Sequence, residues 1–294
     1  MSDTPAMPDP RSFTAALVQT CTSRDVDRNI AEVGAMIREA AAAGAHYVQT
    51  PEVTTVIETD RKRMPDVIHP EEGNPALQAY ADLSRELGIW LHIGSMAVAT
   101  DGPRFANRAF LFTPEGDIAA RYDKIHMFDV QIGAGQTYHE SKRYAPGEKA
   151  VVTRLPWAKL GITICYDMRF PALYRALAKA GAEVTAVPSS FTVPTGKAHW
   201  HALLRARAIE SQCFILAAAQ AGHHECGRDT YGHSIGISPW GEILAEADGE
   251  TTGYILARID LEAVADARRR VPSLDNDRPF EVVDLSDGAS IAAQ

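Results

Sequence analysis

Apolar residues along this chain fall into short unbroken runs, and between the runs they recur at helical spacing. Ser12 to Gln19 is such a run and predicts a strand. Val26, Ile30, Val33, Ile37 and Ala41 then follow a helical period, with Ser23 or Asp25 available as N-cap and Gly44 as the stop. His46 to Thr50 predicts the next strand, Pro75 to Leu87 a helix and Ile89 to Val98 a strand. Ala109 to Phe112 and Ile118 to Tyr122 flank Thr113-Pro114-Glu115-Gly116-Asp117, whose early Pro and late Gly are a hairpin signal. Positions 123 to 158 are loop-rich, punctuated by Gly133, Gly135, Pro146, Gly147 and Pro156.

The second half repeats the plan. Strand 160–165, helix 171–180, strand 183–187, helix 198–211 and strand 213–220 follow one another. A second hairpin turns at Ser238-Pro239-Trp240-Gly241-Glu242, before strand 253–259 and helix 261–268. Strand–helix alternation with added hairpins predicts an α/β fold. Two similar halves predict a four-layer α-β-β-α sandwich, two mixed sheets face to face with helices outside. No linker divides the chain, so we expect a flexible N-terminal tail at 1–11, one domain over 12–272 and a polar tail at 273–294.

Composition narrows the function. The chain has 294 residues, 46% of them hydrophobic, enough for one large core. Its formal net charge is −9, and its longest basic run, Arg268-Arg269-Arg270, has acidic neighbours, so nucleic acid is not expected as a partner. No apolar run is long enough to span a bilayer, and Met1 to Arg11 lacks a signal-peptide plan. Four cysteines at 21, 165, 213 and 226 show no framework spacing, which predicts reduced thiols in a cytoplasmic protein.

The chemistry concentrates at strand ends. Cys165 ends Leu160-Gly161-Ile162-Thr163-Ile164-Cys165 and precedes Tyr166-Asp167-Met168-Arg169-Phe170-Pro171, a strand running into a sharp turn with a proline set to open a helix. Glu52 ends His46-Tyr47-Val48-Gln49-Thr50-Pro51-Glu52, and Lys124 lies in Arg121-Tyr122-Asp123-Lys124-Ile125-His126. A carboxylate, an ammonium and a thiol at strand ends point to covalent catalysis on a C–N bond.

In order along the chain stand Thr50-Pro51-Glu52, Tyr122 to Val130, Glu140-Ser141, Pro146-Gly147 and Cys165 to Pro171. Thr195 to Trp200, Arg205 to Glu210, Tyr231-Gly232-His233-Ser234 and Pro239-Trp240-Gly241 continue the series. This ordered set resembles the nitrilase, or carbon–nitrogen hydrolase, superfamily, in the branch of deaminated glutathione amidases and omega-amidases. The resemblance implies a Glu52–Lys124–Cys165 triad. Glu52 would take the thiol proton and pass it to the leaving amine, the acyl group would rest on Cys165 as a thioester, and Glu52 would then activate water. Lys124, with the Tyr166 N–H, would stabilise the oxyanion. Glu140 would hold Lys124 charged and oriented.

The implied reaction is hydrolysis of a 2-oxo-glutaramyl amide, deaminated glutathione first, giving 2-oxoglutarate and an amine. An omega-amidase acting on 2-oxoglutaramate is the alternative. Arg169, four residues after Cys165, would clamp the substrate carboxylate, and Phe191 and Thr195 would wall the pocket beside Tyr166. The resemblance further implies no cofactor, no metal and a homodimer or larger even oligomer, with the 273–294 tail packing on the partner subunit.

Plainer readings compete. Cys165 alone would be an inert core thiol, Glu52 a capping carboxylate, Lys124 a solvated cation, Glu140 a surface carboxylate and Arg169 a partner of Asp167. Phe191 and Thr195 would be ordinary loop residues. Arg205, Arg207 and Glu210 suggest ion pairing inside the fold or at a dimer contact. His223, His224, Cys226 and Cys213 match no common zinc spacing, although a redox or metal-sensing module would use them. Gly133-Ala134-Gly135 lacks the third glycine of a dinucleotide fingerprint. A silent interaction protein on this fold would be expected to have lost the Cys or the Lys.

Overall fold

The computed structural model describes residues 11–132 and 137–284. The first half runs β1 (Ser12–Gln19), α1 (Val26–Ala42), β2 (Tyr47–Gln49), α2 (Met64–Val67), α3 (Pro75–Leu87), β3 (Trp90–Val98), β4 (Phe105–Phe112) and β5 (Ile118–Asp123). The middle holds β6 (Asp129–Gln131), β7 (Thr137–His139), a 3₁₀ turn over Glu140–Lys142, β8 (Tyr144–Ala145) and β9 (Val151–Arg154). The second half runs β10 (Lys159–Ile162), a 3₁₀ turn over Cys165–Arg169, α4 (Pro171–Lys179), β11 (Val184–Ala186), α5 (Val193–Ser211) and β12 (Phe214–Ala217). It closes with β13 (Ala221–His223), β14 (Asp229–Tyr231), β15 (Ile235–Ile237), β16 (Ile243–Glu246), β17 (Gly253–Asp260) and α6 (Glu262–Arg270).

Two mixed sheets result, of orders β17-β1-β2-β3-β4-β5, with β8 beside β4, and β16-β15-β12-β11-β10-β9. Each has a parallel centre, β1-β2-β3 and β10-β11-β12, edged by antiparallel strands. The side-chain period of two explains the layers. Phe13, Ala15 and Leu17 of β1 face the second sheet, in one core with Leu160, Ile162, Val184, Ala186, Ile215 and Ile237. Ala16 and Val18 face the other way, into a core with Val33 and Ile37 of α1 and Leu77 and Leu83 of α3. Strands covered on both faces have no polar side, which is why their sequences are continuous apolar runs. Leu173 and Leu177 of α4 and Trp200 and Leu204 of α5 cover the second sheet. The architecture is the expected α-β-β-α sandwich.

Differences from the sequence expectation are local and have causes. Helix α5 begins at Val193, five residues earlier than expected, because a proline in the first helical turn loses no intrahelical bond. Gly196 continues the helix because its bare Cα faces the Tyr231 ring, where a Cβ would come within 2.2 Å. The stretch 123–158 is not plain loop: β9 is an edge strand of the second sheet, and its half-buried residues gave no apolar run. Strand 160–165 stops at Ile162, and strand 213–220 at Ala217. The two hairpin turns are alike, Gly116 N–H bonding Thr113 O and Gly241 N–H bonding Ser238 O, both at 2.9 Å, with glycine φ of 82° and 83°.

Arg11 is already part of the folded body, its carbonyl accepting from Leu261 N at 3.0 Å. Of the described part of the tail, Ser273 and Asp277 lie on the chain's own α4, where Asp277 pairs with Lys179 and Arg175 and Ser273 O accepts from Arg175. Gly133-Ala134-Gly135 lies outside the described residues. Among the described residues no helix is long and apolar enough to cross a membrane.

Candidate active site

The carboxyl ends of the parallel strands meet at one edge of the sandwich, the usual ligand position in open α/β sheets. From the first sheet come Glu52, just past β2, and Lys124, just past β5. From the second come Cys165, past β10, and Ser190, past β11. Gly94 on β3 permits the junction, since a Cβ there would lie 2.0 Å from Thr50 O and 2.4 Å from Pro188 Cβ.

Glu52, Lys124 and Cys165 are only 4%, 2% and 6% exposed. Lys124 Nζ donates to Glu52 Oε1 at 2.8 Å and to both oxygens of Glu140 at 3.0 and 2.9 Å. Glu52 Oε1 also accepts from Asn107 Nδ2 at 3.0 Å, and its Oε2 from Ser190 N at 2.9 Å. Asn107 Nδ2 reaches Glu140 as well, at 3.2 Å, and Phe128 N donates to Glu140 at 2.6 Å. Cys165 lies close enough to Glu52 for the carboxylate charge to act on its thiol.

These neighbours decide the charges. Burial pushes the Glu52 carboxyl up, but the Lys124 ammonium beside it, helped by the Arg228 charge, holds it below its ordinary range. Burial pulls Lys124 down, and two facing carboxylates, Glu140 and Glu52, hold it well above its ordinary value. Burial and then the Glu52 charge push the Cys165 thiol up. The resting cluster is therefore carboxylate, ammonium and neutral thiol. A Lys that stays charged cannot serve as base; the carboxylate near the thiol can.

The turn carrying Cys165 is fixed from beneath. Cys165 has φ of 48°, a left-handed backbone that costs a non-glycine residue about 1–3 kcal/mol. Asp167, fully buried, accepts from Ile164 N at 2.9 Å and Tyr122 OH at 2.7 Å on one oxygen. Its other oxygen accepts from His126 N at 3.0 Å and lies 2.7 Å from His126 Nδ1. One carboxylate thus ties the Cys165 turn to the loop bearing Lys124. Arg207 Nε donates to Met168 O at 2.7 Å in the same turn, so this helix charge works inside the fold. Gln220, fully buried, donates to Glu52 O at 3.0 Å and locks that loop to the second sheet.

A cavity of about 590 Å³ opens over the cluster and is lined by Glu52, Lys124, Glu140, Cys165, Phe191 and Thr195. Asn107, Ser190, Tyr138, Arg228, Arg61 and Arg143 also line it. Tyr166 and Arg169 do not. The 3₁₀ turn sends Tyr166 against Phe128 and Phe170, ring centroids 5.1 and 5.5 Å away. Arg169 stacks on Phe191 at 5.3 Å and on Tyr166 at 5.8 Å, with its Nη1 3.3 Å from His199 Nδ1. It therefore borders the cavity through Phe191, and Asp167 is engaged elsewhere. Asn107, Asp167, Ser190, Gln220 and Arg228 were not anticipated; a polar Asn inside the apolar run Phe105–Phe112 was the one visible signal.

The suspected Cys/His loop does not converge. Cys213 is buried against Thr185, His223 lies 2.7 Å from Asp229, and His224 pairs with Thr22 and Thr230. Among the described residues, the group with ligand atoms close enough for a metal is His201, His233 and Glu246, away from the cavity lining.

Comparison with known proteins gives the family. The carbon-nitrogen hydrolase family model matches residues 14–269. Deaminated glutathione amidase of Yersinia enterocolitica is 37% identical over 273 residues, 91% of this chain and 94% of that protein. Human omega-amidase NIT2 is 33% identical over 261 residues, 89% of this chain and 93% of that protein. The crystal structure of the C. elegans NitFhit protein superposes with a TM-score of 0.85 at 32% identity, over 91% of this chain and 65% of that one.

Proposed function

The chain belongs to the carbon–nitrogen hydrolase family and is an amide-hydrolysing enzyme, and on that premise we propose that it hydrolyses 2-oxo-glutaramyl amides, deaminated glutathione first. Relatives named deaminated glutathione amidase, at 37–39% identity, support that choice over the omega-amidase alternative. The observation that carries the mechanism is the meeting of Glu52, Lys124 and Cys165 in one cavity wall, with Lys124 Nζ on Glu52 Oε1 at 2.8 Å.

In this reading Glu52 removes the thiol proton as Cys165 Sγ attacks the amide carbon. The C=O π pair moves to oxygen, opposite the Lys124 ammonium. Collapse breaks the C–N bond, and Glu52 returns its proton to the departing nitrogen, leaving a thioester on Cys165. Glu52 then takes a proton from water, hydroxide adds to the thioester, and the acid leaves as the thiol is restored. Glu140 keeps Lys124 protonated and aimed. Phe191 and Thr195 wall the acyl site, and Arg169, at its border, draws the 2-oxo acid carboxylate. We read the enzyme as a cytoplasmic even oligomer, the compartment being the one in which its four free cysteines stay reduced.

A product screen tests this. Deaminated glutathione and 2-oxoglutaramate should yield 2-oxoglutarate plus the matching amine, faster than glutamine, aliphatic amides or nitriles. Arg169→Lys should raise KM for both 2-oxo substrates and matter much less for an amide without that carboxylate. Equal losses on both kinds of amide would remove Arg169 from substrate recognition, and better turnover of nitriles would sink the substrate class.

A further inference from the structure

Away from the cavity, side chains from three places in the fold turn toward one point. They are His201 in the middle of α5, His233 in the loop entering β15, and Glu246 at the end of β16. Glu246 Oε1 lies 2.8 Å from His201 Nε2 and 2.8 Å from His233 Nδ1. The three ligand atoms all lie within 4.8 Å of one another. A carboxylate only accepts, so each facing nitrogen carries a proton aimed at the same group. Burial pushes the Glu246 carboxyl up, and the bonds from His201 and His233 hold it below its ordinary range, so it is charged. The side chains of His201, His233 and Glu246 are 34%, 27% and 28% exposed, so an ion reaches them from solvent without unfolding.

The surrounding chain fixes this geometry before any ion arrives. Trp200, beside His201, donates from Nε1 to His233 O at 2.9 Å. His233 N donates to Asp248 O at 3.1 Å and Ala247 N to Ser234 O at 2.9 Å, which ties His233 to the strand end bearing Glu246. The Tyr231 ring packs on both imidazoles, its centroid 4.4 Å from His233 and 6.2 Å from His201. His233 has φ of 57°, a left-handed backbone that a residue other than glycine adopts at a cost. The bonds at both ends of His233 hold it there and direct its ring at Glu246.

Two imidazole nitrogens and one carboxylate oxygen suit a borderline divalent ion of the zinc class, whereas magnesium and calcium prefer oxygen alone. Ligand atoms around a tetrahedral zinc stand roughly 3.4 Å apart, so the carboxylate must back away by about half an ångström and the imidazoles close by on the order of 1 Å. Side-chain rotation supplies such shifts. We propose that His201 Nε2, His233 Nδ1 and Glu246 form a zinc-class metal site that staples α5 to the edge strand β16, with the fourth position left to water. The ion replaces the two protons that now stand between the imidazoles and Glu246. The neutral imidazoles then carry their hydrogens on His201 Nδ1 and His233 Nε2. None of the three residues lines the cavity over Cys165, so the ion takes no part in the amide chemistry.

The test uses the full chain, first stripped of metal by a chelator, and zinc chloride as the probe. Calorimetry should show one equivalent binding per chain. With free zinc a hundredfold above its Kd, Tm should rise by roughly 5 °C. His201→Gln and Glu246→Gln should each weaken that binding by at least about a hundredfold, because even an outer-shell partner of a metal ligand is worth ten- to a hundredfold. Neither variant's Tm should then respond to zinc. A cobalt spectrum of the unaltered protein gives a second reading that needs no variant. Nitrogen and oxygen ligands produce visible d–d bands alone, and cysteine thiolate adds an intense near-ultraviolet band. A spectrum dominated by the thiolate band at one equivalent would place the ion at a cysteine and overturn the site. So would a Tm that ignores zinc, an undiminished response in either variant, or displacement of zinc by equimolar magnesium or calcium.

Discussion

The ends of β2 and β10 invite comparison, because the fold builds both alike and uses them oppositely. Each is a central parallel strand with a functional residue just beyond it, and each exit carries a left-handed residue that is not glycine. After β2 that residue is Val53, φ 54°, the neighbour of Glu52; after β10 it is Cys165 itself, φ 48°. Val53 is β-branched and strongly disfavoured in this conformation, yet its N–H is held by Ser95 Oγ at 3.0 Å. At the first exit, two N–H donors and an ammonium keep a buried carboxylate charged. At the second, burial keeps a thiol neutral. The low-dielectric interior acts on both groups, and partners decide the outcome. The lesson is that the proposed base and nucleophile rest in states that have not yet exchanged a proton, so on that proposal activation waits for a substrate to stabilise the product charges.

The largest break in this comparison is removal of the thiol. Cys165→Ala should lower kcat on the order of a millionfold, the scale seen when a covalent triad loses its nucleophile. Glu52→Gln keeps the shape and removes the base, and should fall nearly as far. Mass spectrometry of the unaltered enzyme quenched during turnover should find the acyl group on the peptide containing Cys165. An adduct elsewhere, or substantial turnover in Cys165→Ala, would end the thioester scheme.

Lys124→Met should cost roughly a hundred- to a thousandfold in kcat, the usual effect of one lost oxyanion group. It should also leave Glu52 and Glu140 facing each other without the cation that lowers Glu52. The Glu52 pKa must then rise, so the acid limb of the kcat/KM profile should move to higher pH. An unmoved limb would show that Lys124 does not set the charge of Glu52.

Asp167→Asn tests the support under the second exit. One oxygen that accepts two bonds becomes an amide that donates, so either the turn or the Lys124 loop loses its hold. A displacement near 1 Å can cost about a hundredfold in rate. We expect kcat to fall by roughly ten- to a hundredfold with KM little changed. A KM effect with normal kcat would assign Asp167 to substrate binding instead.

Much of this site was legible in the chain, and the remainder was not for a definite reason. Glu52, Lys124 and Cys165 stand at ends of apolar runs, where periodicity breaks, and each carries the residue type its chemistry requires. Asn107, Ser190 and Gln220 reach Glu52 across 55, 138 and 168 residues of sequence, and Arg228 reaches Ser190 across 38. No local pattern records such a pairing. The boundary of α5 was missed because Pro194 and Gly196 look like breakers until the Tyr231 ring is seen to need the missing Cβ. Tyr166 and Arg169 are near Cys165 in sequence, but a 3₁₀ turn rotates neighbours onto different faces.

The smallest expected effect lies beside the first exit and sharpens what partners do there. His92 on β3 is fully buried, 2.7 Å from Tyr47 OH through Nδ1, and its Nε2 has no partner. Unlike Glu52 it has no opposite charge beside it, so burial alone acts and pulls its pKa down from 6.5 to about 3. Between those values the unfolded chain binds a proton that the folded one refuses. Stability must therefore fall as pH drops below the unfolded value, and the loss levels off below the folded one. At pH 5 this group alone should have cost about 2 kcal/mol relative to neutral pH. His92→Gln retains an acceptor for Tyr47 but has nothing to titrate. Denaturant unfolding of both proteins from pH 7 to pH 5 should show the variant gaining on its parent by about that amount. Parallel curves would mean that His92 takes up its proton in the folded state, and that burial at this exit is weaker than the charged state of Glu52 requires Lys124 to overcome.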